Sequence, residues 1–279
     1  MNTTFGVDRY AVFGHPIGHS KSPRIHTLFA QQTGQTIDYR AQDVMPESFN
    51  MDVESFFASG GKGLNCTVPL KELAFNLALQ KSERALHAGA VNTLMIDATG
   101  HLWGDNTDGA GLICDLTINL QLDLSDKRLL ILGAGGASRG IIQPLLEQNL
   151  ANLVIANRTV EKAHALAKQF SGSGALATCS FDALAGQQFD LIINATSASL
   201  SDELPPLSGC PLAADGGCYD LAYGTQPTAF VRWGRENGAS FSKDGLGMLV
   251  EQAALAFYLW RGVRPDTRPV IGLLESERK

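Results

Sequence analysis

The stretch "KRLLILGAGGASRGIIQPLLEQ" from Lys127, followed by "NLVIANR" at Asn152 to Arg158, constrains the fold more than any other part of this chain. An apolar run, a glycine turn, a helix-like run and a second apolar run form a βαβ unit, whose parallel strands are buried on both faces. Two further apolar runs, "FDLIINATS" at Phe189 to Ser197 and "GCYDLAY" at Gly217 to Tyr223, extend the unit to a doubly wound parallel sheet. Pro144 lies inside the first crossover helix and is expected to kink it.

Gly133, Gly135 and Gly136 fall between strand and helix, where backbone N–H groups and the helix dipole can receive a pyrophosphate. Ser138 stands where a third glycine is usual, so this pattern alone fits either a dinucleotide site or a tight turn. The end of the second strand adds independent information. An NAD site usually has an acidic residue there, to accept hydrogen bonds from the ribose 2′-hydroxyl. This chain has Asn157, Arg158, Thr159 and then Lys162. A guanidinium pairs with a 2′-phosphate and stacks on adenine, which points to NADP; the bland alternative is a solvated basic loop at a helix start.

The rest of the composition narrows the class. With 44% hydrophobic and 18% charged residues among 279, the chain has material for two modest domains with packed cores. A net charge of −6 without a Lys/Arg block gives no footprint for nucleic acid. The start "MNTTFGVDRYAVFG" lacks a basic region followed by an apolar one, and the apolar stretch Met248 to Trp260 is interrupted by Glu251 and Gln252 and falls short of a membrane span. A cytoplasmic protein is expected. The cysteines Cys66, Cys114, Cys179, Cys210 and Cys218 show no C-x-x-C spacing and are read as mostly buried fillers, and His15, His19 and His26 offer no metal-ligand spacing. No metal is expected.

Before residue 108, short strands such as "YAVFG" at Tyr10 to Gly14 alternate with helical segments. "SPRIHTLFAQQTG" has Ser22 as a possible cap, Pro23 at the helix start and Gly34 at the exit. Polar clusters recur where strands end: "GHPIGHSKSP", "GLNCTVPLKE" after the loose run "SGGKG", "GAVNTL" and "GDNTDGAG". Taken singly, Ser22 and Asp108 read as helix caps, Asn92 as a turn residue and Lys71 as part of a wet helix face. Gln252 is harder to place. It lies in an apolar row with Met248, Ala256 and Leu259 on the closing helix from Gly245, where an unpaired amide costs about 1–3 kcal/mol, so a protein or ligand partner is expected.

Together, "HSKSP", "N-x-T-x-P-x-K", "GAVNTL", "GDNTDG", "GAGGA", "NRT", "NATS" and "DGLGMLVEQAA" resemble the shikimate dehydrogenases, specifically the bacterial NADP-dependent biosynthetic form, from Tyr10 to about Leu273. The resemblance implies a discontinuous substrate-binding catalytic domain, residues 1–109 and 245–279, and a Rossmann-type NADP-binding domain, residues 110–244, with the active site in the cleft between them. It implies reversible reduction of 3-dehydroshikimate to shikimate, toward chorismate and the aromatic amino acids, by a monomer or homodimer that binds neither nucleic acid nor membrane. On the family pattern Lys71 and Asp108 are the catalytic pair, Ser20 and Ser22 take the substrate carboxylate, and Asn65, Thr67, Asn92 and Gln252 take its hydroxyls, with Tyr223 also on the substrate side. The cofactor set is Gly133, Ala134, Gly135, Gly136, Ala137, Asn157, Arg158, Thr159, Lys162, Thr196, Gly245 and Met248.

The chemistry of these residue types agrees. A ketone that receives hydride develops negative charge on oxygen, which an ammonium polarises and protonates. The Lys–Asp pair is assigned the transferred proton jointly. The chain departs from common family usage at His15, Gly18, Cys66 and Ser199, and in "YGTQPTAF" after Tyr223. A quinate/shikimate dehydrogenase using NAD is a second reading, opposed by Arg158 and Lys162. A non-catalytic NADP sensor is a third, opposed by the presence of both Lys71 and Asp108.

Overall fold

The computed structural model describes residues 7–170, 172, 175–207 and 209–278, in two compact units. One comprises the described residues up to Gly111 together with Val250–Ser276; the other comprises Leu112–Leu249 and the described residues after Ser276.

The first unit carries a mixed sheet of β1 (Asp8–Gly14), β2 (Ile37–Asp43), β3 (Gly61–Cys66), β4 (Gln80–Lys81), β5 (Thr93–Ile96) and β6 (Leu102–Asp105), in the order β2-β1-β3-β5-β6-β4. β1 is parallel to β2 and β3, whereas β5 is antiparallel to both β3 and β6. Phe13, Phe49, Leu64, Leu70 and Leu94 are buried in its core. The run "SGGKG" is not loose. Gly61 and Gly63 belong to β3, where a Cβ would stand 2.3 Å from the Phe56 ring and 2.4 Å from the Trp260 indole, respectively. The glycines admit these rings against the strand, and Trp260 Nε1 donates to Leu94 O at 3.2 Å.

Helix Ser22–Thr33 begins one residue earlier than a Ser22 cap requires. Ser22 is its first residue, and its N–H donates to Ser20 Oγ at 3.3 Å, so Ser20 supplies the capping oxygen. Gly34 closes the helix at φ 65°.

The second unit is built on β7 (Arg128–Leu132), β8 (Asn152–Ala156), β9 (Leu176–Cys179), β10 (Phe189–Asn194), β11 (Leu212–Asp220) and β12 (Phe241–Asp244), all parallel. The order β9-β8-β7-β10-β11-β12 is that of a Rossmann sheet, with its reversal between β7 and β10. Ile131, Leu132, Ile155, Ile192 and Ile193 are fully buried, as strands covered on both faces demand. Helix Gly136–Leu146 runs through Pro144, which lies near its C-terminal end, where one missing N–H disturbs few bonds.

Two strands stop earlier than their apolar runs suggest. β10 ends at Asn194 because Asn194 Oδ1 accepts from Thr196 N at 3.1 Å and Thr196 Oγ1 at 2.7 Å, which turns the chain. β11 ends at Asp220, whose Oδ1 accepts from Ala222 N at 3.0 Å. Tyr223 therefore lies beyond the strand. The closing helix is Leu246–Arg261, ended by Gly262 at φ 70°. Among the described residues no helix is long and apolar enough to cross a membrane. Cys66 and Cys218 are buried, but Cys210 is exposed and is no filler.

Candidate active site

The turn after β3 delivers the polar residues of "NCTVPLKE". Asn65 and Cys66 end the strand, Thr67 N donates to Phe13 O at 2.9 Å, and Lys71 opens helix Lys71–Leu77. Lys71 Nζ lies 2.5 Å from Asp108 Oδ2, both side chains largely sheltered at 29% and 18% exposure. Asp108 opens helix Asp108–Cys114, and its N–H donates to Asn106 Oδ1 at 3.1 Å, so Asn106 is the acceptor at that helix start. A lysine on a wet helix face would not be held this way.

Asn92 is the centre of the cluster. Its Oδ1 accepts from Thr107 N at 2.9 Å, a donor that cannot reverse roles, which fixes the amide orientation. Its Nδ2 then points to Asp108 Oδ1 (2.8 Å), Thr107 Oγ1 (2.9 Å) and Gln252 Oε1 (3.3 Å). The partner expected for Gln252 is thus found within the protein. Asp108 divides its oxygens between an ammonium and an amide, so its position is constrained from two sides, and it in turn holds Lys71.

Asn65 Oδ1 accepts from Tyr39 at 2.7 Å, and its Nδ2 donates to Asn92 O (3.0 Å) and Thr93 Oγ1 (3.1 Å). Burial pushes the Tyr39 hydroxyl far above its ordinary range, with Ser22 beside it opposing the shift. Ser20, Ser22, Asn65, Lys71, Asn92, Asp108 and Gln252 thus form one connected neighbourhood, and Thr67 stands beside it with its methyl facing Gly14. Tyr223 belongs to the second unit, half-buried after β11. Cys66 is buried, and desolvation pushes its thiol far up, which makes it an inert neighbour.

Sequence reasoning passes over Tyr39, Thr93, Asn106 and Thr107 as site components. The last two lie within "GDNTDG" and could have been found as its polar side chains. Tyr39 gives no local signal, since β1 lies between its strand and Asn65's.

His26 is fully buried with no hydrogen-bond partner on either ring nitrogen among the described residues, and it stacks on Tyr39 at 4.1 Å. Desolvation lowers its pKa to about 3; nearby Asn65 opposes this but has committed its own polar atoms elsewhere. The imidazole stays neutral in the folded protein, whereas the unfolded chain takes up a proton below about pH 6.5. Its contribution to stability is therefore present above about pH 6.5 and lost as pH falls toward about 3, with a limiting slope of about 1.4 kcal/mol per pH unit. Thermal melts between pH 7.5 and pH 5 are expected to fall less steeply for His26→Phe than for the wild type. Parallel curves would show that protonation of His26 carries no folding penalty.

In the second unit, Gly133 adopts φ 101°, and a Cβ there would stand 3.1 Å from Thr196 Cγ2, so the turns after β7 and β10 meet at the reversal point. Gly135 and Gly136 face open space: an added Cβ would meet nothing within 4 Å among the described residues. Packing does not demand these glycines, and helix Gly136–Leu146 starts without a side-chain cap, leaving donors for an anion. Ser138 is accommodated at the third glycine position because its buried hydroxyl donates to Gly133 O at 2.8 Å. Ala134 and Ala137 complete the turn.

Arg158, Thr159 and Lys162 are exposed after β8, and Asn157 Nδ2 donates to Thr159 O at 2.8 Å. The exposed glycine turn and basic residues on the next turn fit a phosphorylated dinucleotide. Ser199 Oγ donates to Asp220 Oδ2 at 2.5 Å, and Thr228 Oγ1 does so at 2.6 Å. Burial raises the Asp220 pKa against these bonds, and the network braces the turn that carries Thr196.

A Rossmann sheet with an exposed glycine turn, in one chain with a sheltered lysine–aspartate pair, defines a two-unit α/β protein of dehydrogenase type. Family models match in three segments: the shikimate dehydrogenase substrate binding domain over residues 12–94, shikimate / quinate 5-dehydrogenase over 116–201, and the shikimate 5′-dehydrogenase C-terminal domain over 245–275. The chain is 62% identical to shikimate dehydrogenase (NADP(+)) of Methylococcus capsulatus, with 98% of each chain covered. Among solved structures it resembles an Ael1 enzyme from Pseudomonas putida (49% identity, TM-score 0.89, 96% of this chain and 98% of that one). It also resembles shikimate 5-dehydrogenase from Thermus thermophilus in complex with NADP(H) and shikimate (32% identity, TM-score 0.85, 98% and 100% coverage). The chain belongs to the shikimate dehydrogenase family.

Proposed function

We propose that this chain catalyses the reversible NADPH-dependent reduction of 3-dehydroshikimate to shikimate, a step toward chorismate and the aromatic amino acids. The observation that carries the reading is the Lys71–Asp108 pair at 2.5 Å, tied through Asn92 to Gln252, in a chain of this family.

Ser20 and Ser22, at the start of a 12-residue helix, receive the substrate carboxylate, where the helix dipole favours negative charge. Asn65, Thr67, Asn92 and Gln252 offer groups that donate and accept, as a ring bearing several hydroxyls requires. Hydrogen bonds from Asn65 Nδ2 to Asn92 O and from Asn92 Nδ2 to Gln252 Oε1 hold these three in position before substrate arrives. Lys71 presents its ammonium to the ketone oxygen, stabilising developing charge, while Asp108 orients the lysine, and the pair holds the exchanged proton. Tyr223 is assigned to the substrate as well.

When bound, NADPH supplies the hydride. Gly133, Ala134, Gly135, Gly136 and Ala137 would receive its pyrophosphate, and Asn157, Arg158, Thr159 and Lys162 its adenosine 2′-phosphate. Thr196 follows β10, Gly245 follows β12 and Met248 lies in the first turn of helix Leu246–Arg261, and these three would border the nicotinamide half. The protein acts in the cytoplasm, as a monomer or homodimer.

Initial rates at the nicotinamide absorbance band, with shikimate and quinate each offered with NADP and NAD, test the assignment. Turnover is expected mainly with shikimate and NADP. Comparable rates with quinate or NAD would move the chain to the broader enzyme, and no rate with any pair would leave a non-catalytic NADP-binding protein.

A further inference from the structure

The segment Gly245–Met248 is held by two buried residues with no part in the chemistry so far. Tyr219, on β11, is fully buried, and Asp115, in the helical turn Asp115–Asn119 after helix Asp108–Cys114, is 5% exposed. Tyr219 OH donates to Asp115 Oδ2 at 2.7 Å, and Met248 N donates to the Tyr219 oxygen at 3.2 Å. An N–H only donates, so the tyrosine oxygen accepts from Met248 and its single proton goes to the carboxylate. The relay has one direction. Burial, with the adjacent Asp115 charge, pushes the Tyr219 hydroxyl far up, so it stays protonated.

Asp115 also lies against the first turn of helix Leu246–Arg261. A Cβ on Gly247 would stand 2.0 and 2.2 Å from its carboxylate oxygens, and a Cβ on Gly245 would stand 2.3 Å from Leu221 O. The carboxylate thus faces the positive end of a 16-residue helix, and Asn119 Nδ2 anchors it by donating to Oδ1 at 2.9 Å. As a cap alone the relay is redundant, since Asp244 Oδ1 already accepts from Leu246 N at 3.3 Å. What it adds is a fixed position for the Met248 backbone.

We propose that Asp115 and Tyr219 are positioning residues that set Gly245 and Met248 against the nicotinamide half of NADP, acting through the Met248 N–H. The proposal rests on the cofactor reading given above. The adenosine half is gripped elsewhere, at the glycine turn and Arg158, so losing the relay should disturb hydride geometry and spare cofactor anchoring.

The test is Tyr219→Phe in the full chain, which removes the hydroxyl and keeps the ring. In the ligand-free protein, hydrogen exchange of the Met248 amide is expected to accelerate. With ligands, kcat is expected to fall by roughly 10–100-fold, while the Kd for 2′,5′-ADP, which probes only the adenosine end, stays at the wild-type value. Should Tyr219→Phe fail to fold, Asp115→Asn carries the same measurements, with the same direction expected. Unchanged Met248 exchange and unchanged kcat, with only a lower Tm, would make the pair merely structural and overturn the proposal. A parallel loss of 2′,5′-ADP affinity would overturn it too. If the wild type itself turns over no shikimate with NADP, the functional reading fails instead, and Met248 exchange in the free protein still decides whether the relay holds this segment.

Discussion

Lys71→Ala is expected to lower kcat for shikimate oxidation by about 10²–10⁴-fold, the range spanned by a positioned general acid or base, with the Kd for NADP unchanged. The residue supplies an ammonium 2.5 Å from Asp108 Oδ2, and alanine leaves nothing to polarise the ketone oxygen. The loss should appear in kcat more than in KM, because the ammonium interacts most strongly with charge that develops in the transition state. Asn92 still donates to Asp108 Oδ1, so the aspartate keeps one partner and the first unit should remain folded. Steady-state kinetics with a fluorescence titration of NADP separates the two effects. A normal kcat in the variant would remove Lys71 as the catalytic residue.

Arg158→Ala should raise the KM for NADP by roughly 10–100-fold and leave that for NAD nearly unchanged, since hydrogen bonds to a charged group contribute about 1.5–3 kcal/mol. Arg158 is exposed after β8, on the turn next to the glycine loop, and Lys162 lies within the following helix. The discriminating quantity is the ratio of kcat/KM for the two cofactors. Equal weakening of NADP and NAD would assign Arg158 to the adenine face or to folding, and remove it from the 2′-phosphate.

The parts of this protein legible in the sequence were those whose physics is local. The alternation of apolar runs, glycine turn and helix identified the Rossmann sheet, because both faces of its central strands are covered and the middle of each, such as Leu129–Leu132 and Leu153–Ala156, is continuously apolar. The glycine turn was legible because three glycines between a strand and a helix form a local pattern, and in the structure no described atom lies within 4 Å of a Cβ added at Gly135 or Gly136. The motif order carried the family. Other signals misled. "SGGKG" looks loose in one dimension, yet it starts a central strand, because Phe56 and Trp260 occupy the space that side chains would need. Ser22 looks like a cap, but the oxygen that caps is that of Ser20.

By itself, then, the sequence determined the βαβ core of the second unit, the turn where an anion can dock, and which residue types are available for proton transfer. Only the tertiary structure decided how those residues meet. Lys71 and Asp108 are 37 positions apart, and Asn92 and Gln252 are 160 apart, so no local pattern records their contacts. Tyr39 acquires its partner Asn65 from the strand order, and Tyr219 acquires Asp115 and Met248 because β11 ends beside both. Hydrogen bonds act over about 3 Å, and bringing such distant residues within that range is the work of packed sheets and buried rings.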